Sequence, residues 1–169
     1  MAKLNPTKND LSAEARSAVI ALLEPSLAAA VDLRTQAKQA HWTVKGPHFL
    51  QLHELFDKAA DELDEHADDL AERMIQLGGQ TAGTARAAAA QSPIEEYPLA
   101  IRAGRDHVEA FSNRLAAFGK LIRENIDKAA AAGDADTADL FTEISRAADK
   151  LLWFVEAHLE ADAGTAARA

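Results

Sequence analysis

Apolar residues recur at three- and four-residue steps through most of this chain, and the runs break at glycine and proline. "DLSAEARSAVIALL" (10–23) opens the first run, with Asp10 or Ser12 placed to cap it. Pro25 predicts a break or kink near 24–25, because proline suits a first helical turn better than an interior. A helix then continues to about Trp42, and "TVKGPH" (43–48) reads as a turn around Gly46-Pro47. The second long helix spans about 47–77 and stops at Gly78-Gly79. Residues 79–93 form a long connection with a short helix at 84–91. The third long helix begins in "IEEYPLAIR" and ends at Gly133, and the fourth covers about 134–160. Residues 1–10 are expected as a flexible N-terminal tail, 11–160 as one domain and 161–169 as a short C-terminal tail. The pattern predicts an all-α four-helix bundle with a short extra helix in the connection between helices two and three. "LLWFVEAH" puts Trp153 and Phe154 in the expected core.

The second helix carries the informative polar pattern. On a wheel of ~100° per residue, Phe56, Ala59, Leu63, Leu70, Met74 and Leu77 fall within about 40° of Leu52, a core stripe. His53, Asp57, Asp68 and Glu72 share another face, at roughly 100–200° on the same wheel. Along the axis, His53 and Glu72 are roughly 28 Å apart, and Asp57 and Asp68 roughly 16 Å. Metal–ligand bonds are about 2 Å long, so one helix cannot gather the four. A second copy can. Two antiparallel copies about a twofold axis pair residues whose numbers have a constant total. His53 with Glu72 and Asp57 with Asp68 have the same total, so one axis between Glu62 and Leu63 brings both pairs together. Ala60, Ala67 and Ala71 are expected on this face, as small residues that let helices approach, with Leu50 and Ile75 toward its ends.

The four polar residues therefore read as two halves of one metal site shared between subunits. A solvated acidic face is the plainer alternative, and it is the reading expected for Glu62, Glu65 and Asp69. His41 is a candidate fifth ligand, because the Gly46-Pro47 turn can fold it back over helix two, with Trp42 beside it. No Glu-x-x-His occurs in the chain, which argues against a di-iron centre inside one bundle. Nitrogen and oxygen donors with few histidines suit iron, and also zinc or manganese. His48, His66, His107 and His158 are assigned no role.

Composition narrows this further. The 169 residues are 48% hydrophobic and 27% charged, which fits one domain with a real core. The absence of cysteine removes disulfides, thiolate metal sites and thiol catalysis. "MAKLNPTKND" lacks the apolar core of a signal peptide, and no apolar run approaches the roughly 18 residues of a membrane span. A cytoplasmic protein without membrane association is expected. The net charge of −9 attracts cations and opposes contact with nucleic acid.

"KQAHWTVKGPHFLQLHELFD", "DDLAERMIQLGG" and "GDADTADLFTEISRAADKLLWFVEAH" resemble the Dps family, the miniferritins also called DNA-binding proteins from starved cells, across about residues 10–160. The resemblance implies a ferritin-like bundle assembled into a hollow dodecamer. It implies a ferroxidase centre at each twofold interface, where Fe(II) is oxidised by hydrogen peroxide in preference to oxygen. Ferric mineral would be stored inside, protecting the cell from oxidative damage. Carried over by position, His41, His53 and Asp57 come from one subunit, and Asp68 and Glu72 from its partner. Trp42 would intercept stray oxidising equivalents, with interface packing as the alternative. Asp136 and Asp139 fall where the family lines an acidic threefold pore that admits iron; charges favouring a helix first turn are the alternative. DNA-binding members often carry a lysine-rich tail. Here the first ten residues hold only Lys3 and Lys8, and the other end has Arg168 and Asp162, so DNA contact is expected to be weak and salt-sensitive, or absent. The competing functions are a nucleoid-associated DNA-compacting protein with a secondary metal site, and an inert helical shell.

Overall fold

A computed structural model describes residues 4–160. Its helices are α1 (Ala13–Thr43), α2 (Phe49–Gln76), α3 (Ala85–Gln91), α4 (Gly104–Ala131) and α5 (Ala135–Glu156). α1 packs along α2 and α4 along α5, while α1 also meets α4 and α3. This is the expected four-helix bundle with one short extra helix. Lys3 and the expected tail 161–169 lie outside the described residues.

Ser12 caps α1, its hydroxyl accepting the Ala15 N–H at 3.1 Å. Pro25 does not break this helix: α1 runs through it. An interior proline costs about 3 kcal/mol, and local support offsets it. Leu23 and Leu27, on either side, are buried in the core. The Ser26 hydroxyl donates to the Leu22 carbonyl at 2.8 Å, and Asn125 from α4 donates to the Ser26 hydroxyl at 3.1 Å. Packing and hydrogen bonds on both sides of the proline hold the helical path.

The stripe read on α2 is the buried one: Leu52, Phe56, Ala59, Leu63, Leu70 and Met74 face the core, with Leu77 just beyond the helix. Ala60 and Ala67 also point inward, at 2% and 7% exposure, so they do not belong to the outward strip where they were expected. Only Ala71, half-buried, with Leu50 and Ile75 exposed, remains there. α2 ends as anticipated at Gly78, whose φ of +84° favours glycine. A Cβ there would lie 2.6 Å from the Asn5 carbonyl oxygen, so glycine also permits a close approach. That contact anchors part of the segment expected as a tail: Asn5 N–H donates to the Gly78 carbonyl at 2.7 Å, and Leu4 packs against the core.

The third long helix starts at Gly104, not within "IEEYPLAIR". Pro98 has no N–H and pushes the residue before it away from helical geometry. The backbone of this stretch is used differently. The Glu95 carbonyl accepts from Gln36 and Arg114, the Glu96 carbonyl accepts from Arg114, and Ile94 and Tyr97 are buried as pins. The fourth helix ends at Glu156 rather than 160, in a short turn. Trp153 is 66% exposed and Phe154 half-buried, so "LLWFV" supplies the core through Leu151 and Val155 instead. The run is apolar on every side, and only one side meets the bundle.

Candidate metal centre

The short α1–α2 turn sets the centre. Gly46, at φ +125°, reverses the chain, and Phe49 N–H donates to the Gly46 carbonyl at 3.1 Å. The last turn of α1 is thereby laid against the second turn of α2. His41 and His53 stack with ring centroids 3.7 Å apart and planes 19° from parallel. Each ring also holds the other's backbone: His41 Nδ1 lies 2.8 Å from the His53 carbonyl, and His53 Nδ1 lies 2.8 Å from the His41 carbonyl. A carbonyl oxygen only accepts, so both Nδ1 atoms carry the proton. Both Nε2 atoms are left with free lone pairs, the arrangement of a metal-binding imidazole whose other nitrogen is tied down.

Asp57 follows His53 by one helical turn and lies on the same face. Its Oδ1 is 3.8 Å from His41 Nδ1 and accepts a short hydrogen bond from the Lys38 ammonium. That hydrogen bond holds the Asp57 carboxyl below the usual aspartate range, against a smaller opposing effect of burial and with help from His41 and His53. Lys38 comes from α1, and nothing in sequence spacing pointed to it. Trp42 is 63% exposed beside His41.

Asp68 and Glu72 lie further along α2, exposed, with no ion-pair partner among the described residues. The structure does not bring them to the histidines within one chain. Among the described residues, no three His, Cys, Asp or Glu side chains converge closely enough to hold a metal ion. Two imidazole lone pairs and an ionised carboxylate nevertheless fit one side of a site for iron, zinc or manganese.

Asp136 and Asp139 are both exposed near the start of α5. The residue that secures this end is Asp134, the helix cap. Its carboxylate accepts the Thr137 N–H at 3.0 Å and hydroxyl at 2.6 Å, and Arg73 donates to it at 2.8 Å. Arg73 also donates to the Thr137 hydroxyl at 2.8 Å and lies 3.9 Å from Asp136. Burial pushes the Asp134 carboxyl up, but Thr137 and Arg73 more than offset this and hold it below its ordinary value. An Asp before a helix with Thr three residues on is a readable cap signal; the reach of Arg73 from α2 is not. Lys8 is exposed and Lys3 is outside the described residues. No described helix is long and apolar enough to cross a membrane.

The ferritin-like domain family matches residues 20–164. A DNA protection during starvation protein of Agrobacterium fabrum is 45% identical over 158 residues, spanning 94% of this chain and 98% of that protein. Among solved structures, DpsA14 from Streptomyces coelicolor is similar at a TM-score of 0.87 and 35% identity, covering 96% of this chain and 97% of that one. The tetragonal form of Mycobacterium smegmatis Dps is similar at a TM-score of 0.88 and 30% identity, covering 93% and 96%. With these matches along nearly its whole length, the chain belongs to the ferritin-like family, as one of its Dps proteins.

Proposed function

We propose that this protein is a ferroxidase and iron store that oxidises Fe(II) with hydrogen peroxide, and less efficiently with oxygen, at sites shared between subunits of a hollow dodecamer. Family membership supports a role in iron storage or in DNA protection during starvation. The observation that carries the finer reading is the reciprocal locking of the stacked His41 and His53 rings through Nδ1, which leaves Nε2 of each ring for a metal, with the Asp57 carboxylate 3.8 Å from His41 Nδ1. Fe(II), the substrate, binds to these groups, and Asp68 and Glu72 of the partner subunit complete the set. Two Fe(II) ions supply the two electrons that one peroxide takes, together with two protons from solvent, as it becomes two waters. This paired reaction releases no hydroxyl radical, which only an unpaired Fe(II) would form. Asp57 is already ionised and aimed by Lys38, so no proton need leave it when the cation arrives. Zinc or manganese competes for the same donors. Asp136 and Asp139 line the path by which cations reach the interior, where the ferric mineral collects.

The test is an anaerobic Fe(II) titration followed by peroxide. The wild type should saturate with iron, develop Fe(III) absorbance rapidly and yield a mineral-loaded particle. Asp68→Ala with Glu72→Ala should lose the fast phase while sedimentation still reports the assembled shell. Equal rates in wild type and double variant would overturn the shared site.

A second reading, DNA compaction, is favoured by the name of the Agrobacterium fabrum relative. With few tail cations and a net charge of −9, retardation of a duplex should be weak and vanish as salt rises. Lys3→Ala with Lys8→Ala should abolish what remains. Tight retardation at moderate salt, lost in that variant, would make DNA the primary partner.

A further inference from the structure

Tyr97 is the chain's only tyrosine, and it is 5% exposed in the connection before α4. Its phenolic oxygen lies 2.8 Å from Nδ1 of His107, with the two rings only 19° from parallel. His107 is 1% exposed, and its Nε2 has no hydrogen-bond partner of normal geometry. The phenol donates and the imidazole accepts. Burial keeps both groups neutral at rest, pushing Tyr97 up and His107 down, although Asp106 and the Ile101 carbonyl favour a charged His107. The guanidinium of Arg114 sits 5.6 Å from the Tyr97 ring centre, fixed by the carbonyls of Ala110, Glu95 and Glu96. A positive charge there disfavours a cationic ring, so an electron can leave Tyr97 cheaply only if its proton leaves too.

Both side chains are buried, and Tyr97 also borders a cavity at the surface. Tyr97, Gln36, Gln39, Leu99 and Trp42 line one cavity of about 540 Å³. Trp42 is 63% exposed, so its indole faces solvent as well as this cavity.

We propose that Tyr97 and His107 form a redox relay that collects one-electron oxidising equivalents from Trp42 and returns them to Fe(II). A hydroxyl radical takes one electron from the Trp42 indole and becomes hydroxide. The indole radical cation then takes one electron from Tyr97, while the phenolic proton crosses to His107 Nδ1. The products are neutral indole, a neutral phenoxyl radical and an imidazolium. Fe(II) returns the electron, becoming Fe(III), and the proton goes back from His107 to the phenolate oxygen. One radical has been reduced and one Fe(II) oxidised, with the protein unchanged. Only the identity of the final reductant rests on the ferroxidase reading.

The test uses metal-free protein and photogenerated tris(bipyridyl)ruthenium(III) as the one-electron oxidant, with freeze-quench electron paramagnetic resonance as the readout. The wild type should give a neutral phenoxyl signal whose hyperfine pattern collapses when ring-deuterated tyrosine is incorporated, a result that needs no substitution. Tyr97→Phe should leave tryptophan radical only. Trp42→Phe and His107→Gln should each lower the phenoxyl yield several-fold, with circular dichroism confirming the fold. Absence of phenoxyl in the wild type, or an undiminished yield in either of the last two variants, overturns the relay. Because no iron is present, failure here leaves the ferroxidase reading standing, and failure of the Fe(II) titration leaves the relay standing.

Discussion

The two halves of the α2 polar face are built differently. At its N-terminal end, His53 and Asp57 are held by hydrogen bonds to α1, through His41 and Lys38. At its C-terminal end, Asp68 and Glu72 stand in solvent with nothing but the helix to orient them. The first half is fixed by partners in the same chain, whereas the second is fixed only as part of a rigid helix face. Preorganised imidazoles lose little freedom when a cation arrives. Exposed carboxylates gain definition only when another surface covers them. The proposed shared site could therefore be broken at its open half without disturbing the fold, while its closed half is part of the α1–α2 packing.

The largest expected effect follows directly. Asp68→Ala with Glu72→Ala should remove fast Fe(II) oxidation altogether, yet leave unfolding free energy within about 0.5 kcal/mol of wild type, as surface changes do. His41→Ala should also remove fast oxidation, but it should destabilise as well, because the His53 ring loses its stacking partner. Rapid-mixing absorbance and denaturant titration on the same samples separate the two outcomes. A stability loss in the acidic double variant equal to that in His41→Ala would erase the contrast.

Next in size is a change that leaves the site alone and attacks the far end of α2. Asp134→Ala removes a helix cap and strands the Arg73 guanidinium, whose side chain is only 12% exposed. Breaking a buried pair costs about 3–5 kcal/mol. The pH dependence has a definite sign. The folded carboxyl titrates below its ordinary value, so the unfolded chain binds more protons in that range. The stabilisation is complete above about pH 4 and is lost as pH falls through the lowered folded value. The gap between wild type and Asp134→Ala, followed by urea unfolding, should therefore narrow in acid. A gap that widened below pH 4 would contradict the assignment.

A few-fold effect is expected at Lys38. Its ammonium competes with any cation for Asp57. Lys38→Met should tighten Zn(II) binding a few-fold at neutral pH in calorimetry, with Asp57 still ionised. Weaker binding would mean that Lys38 acts mainly by aiming the carboxylate.

What could be read in advance follows from what periodicity measures. The stripe from Leu52 to Met74 repeats along one helix, and one-dimensional spacing reports it faithfully. The outward set His53, Asp57, Asp68 and Glu72 was legible for the same reason. Ala60 and Ala67 were misplaced because they sit on the shoulder between the two faces, where helix phase is decided by neighbours. Pro25 and "IEEYPLAIR" misled in opposite directions. In one, packing overrode a local breaker; in the other, Pro98 and the guanidinium of Arg114 overrode a helical pattern. The His41–His53 lock, the Lys38–Asp57 pair, the Arg73–Asp134 clamp and the Tyr97–His107 pair all cross between elements. Their partners are 12, 19, 61 and 10 residues apart in sequence. No local spacing rule encodes the rotation of one element against another.

The smallest predicted effect asks whether the same contrast, between a pinned carboxylate and a free one, extends to the start of α5. Asp136 Oδ2 lies 3.9 Å from the Arg73 guanidinium, so part of its field is already cancelled. Asp139 is exposed and has no ion-pair partner among the described residues. If these residues draw Fe(II) inward, Asp139 contributes more of the attraction. Charge steering of this kind changes rates by modest factors at a single position and weakens as salt shortens the screening length. Asp139→Asn should slow iron uptake about twofold at low ionic strength, and Asp136→Asn should slow it less. The two variants should converge on wild type as salt is raised, in stopped-flow uptake with peroxide in excess. Equal slowing that persists at high salt would point to altered helix geometry at Asp134 instead, because geometry, unlike a field, is not screened.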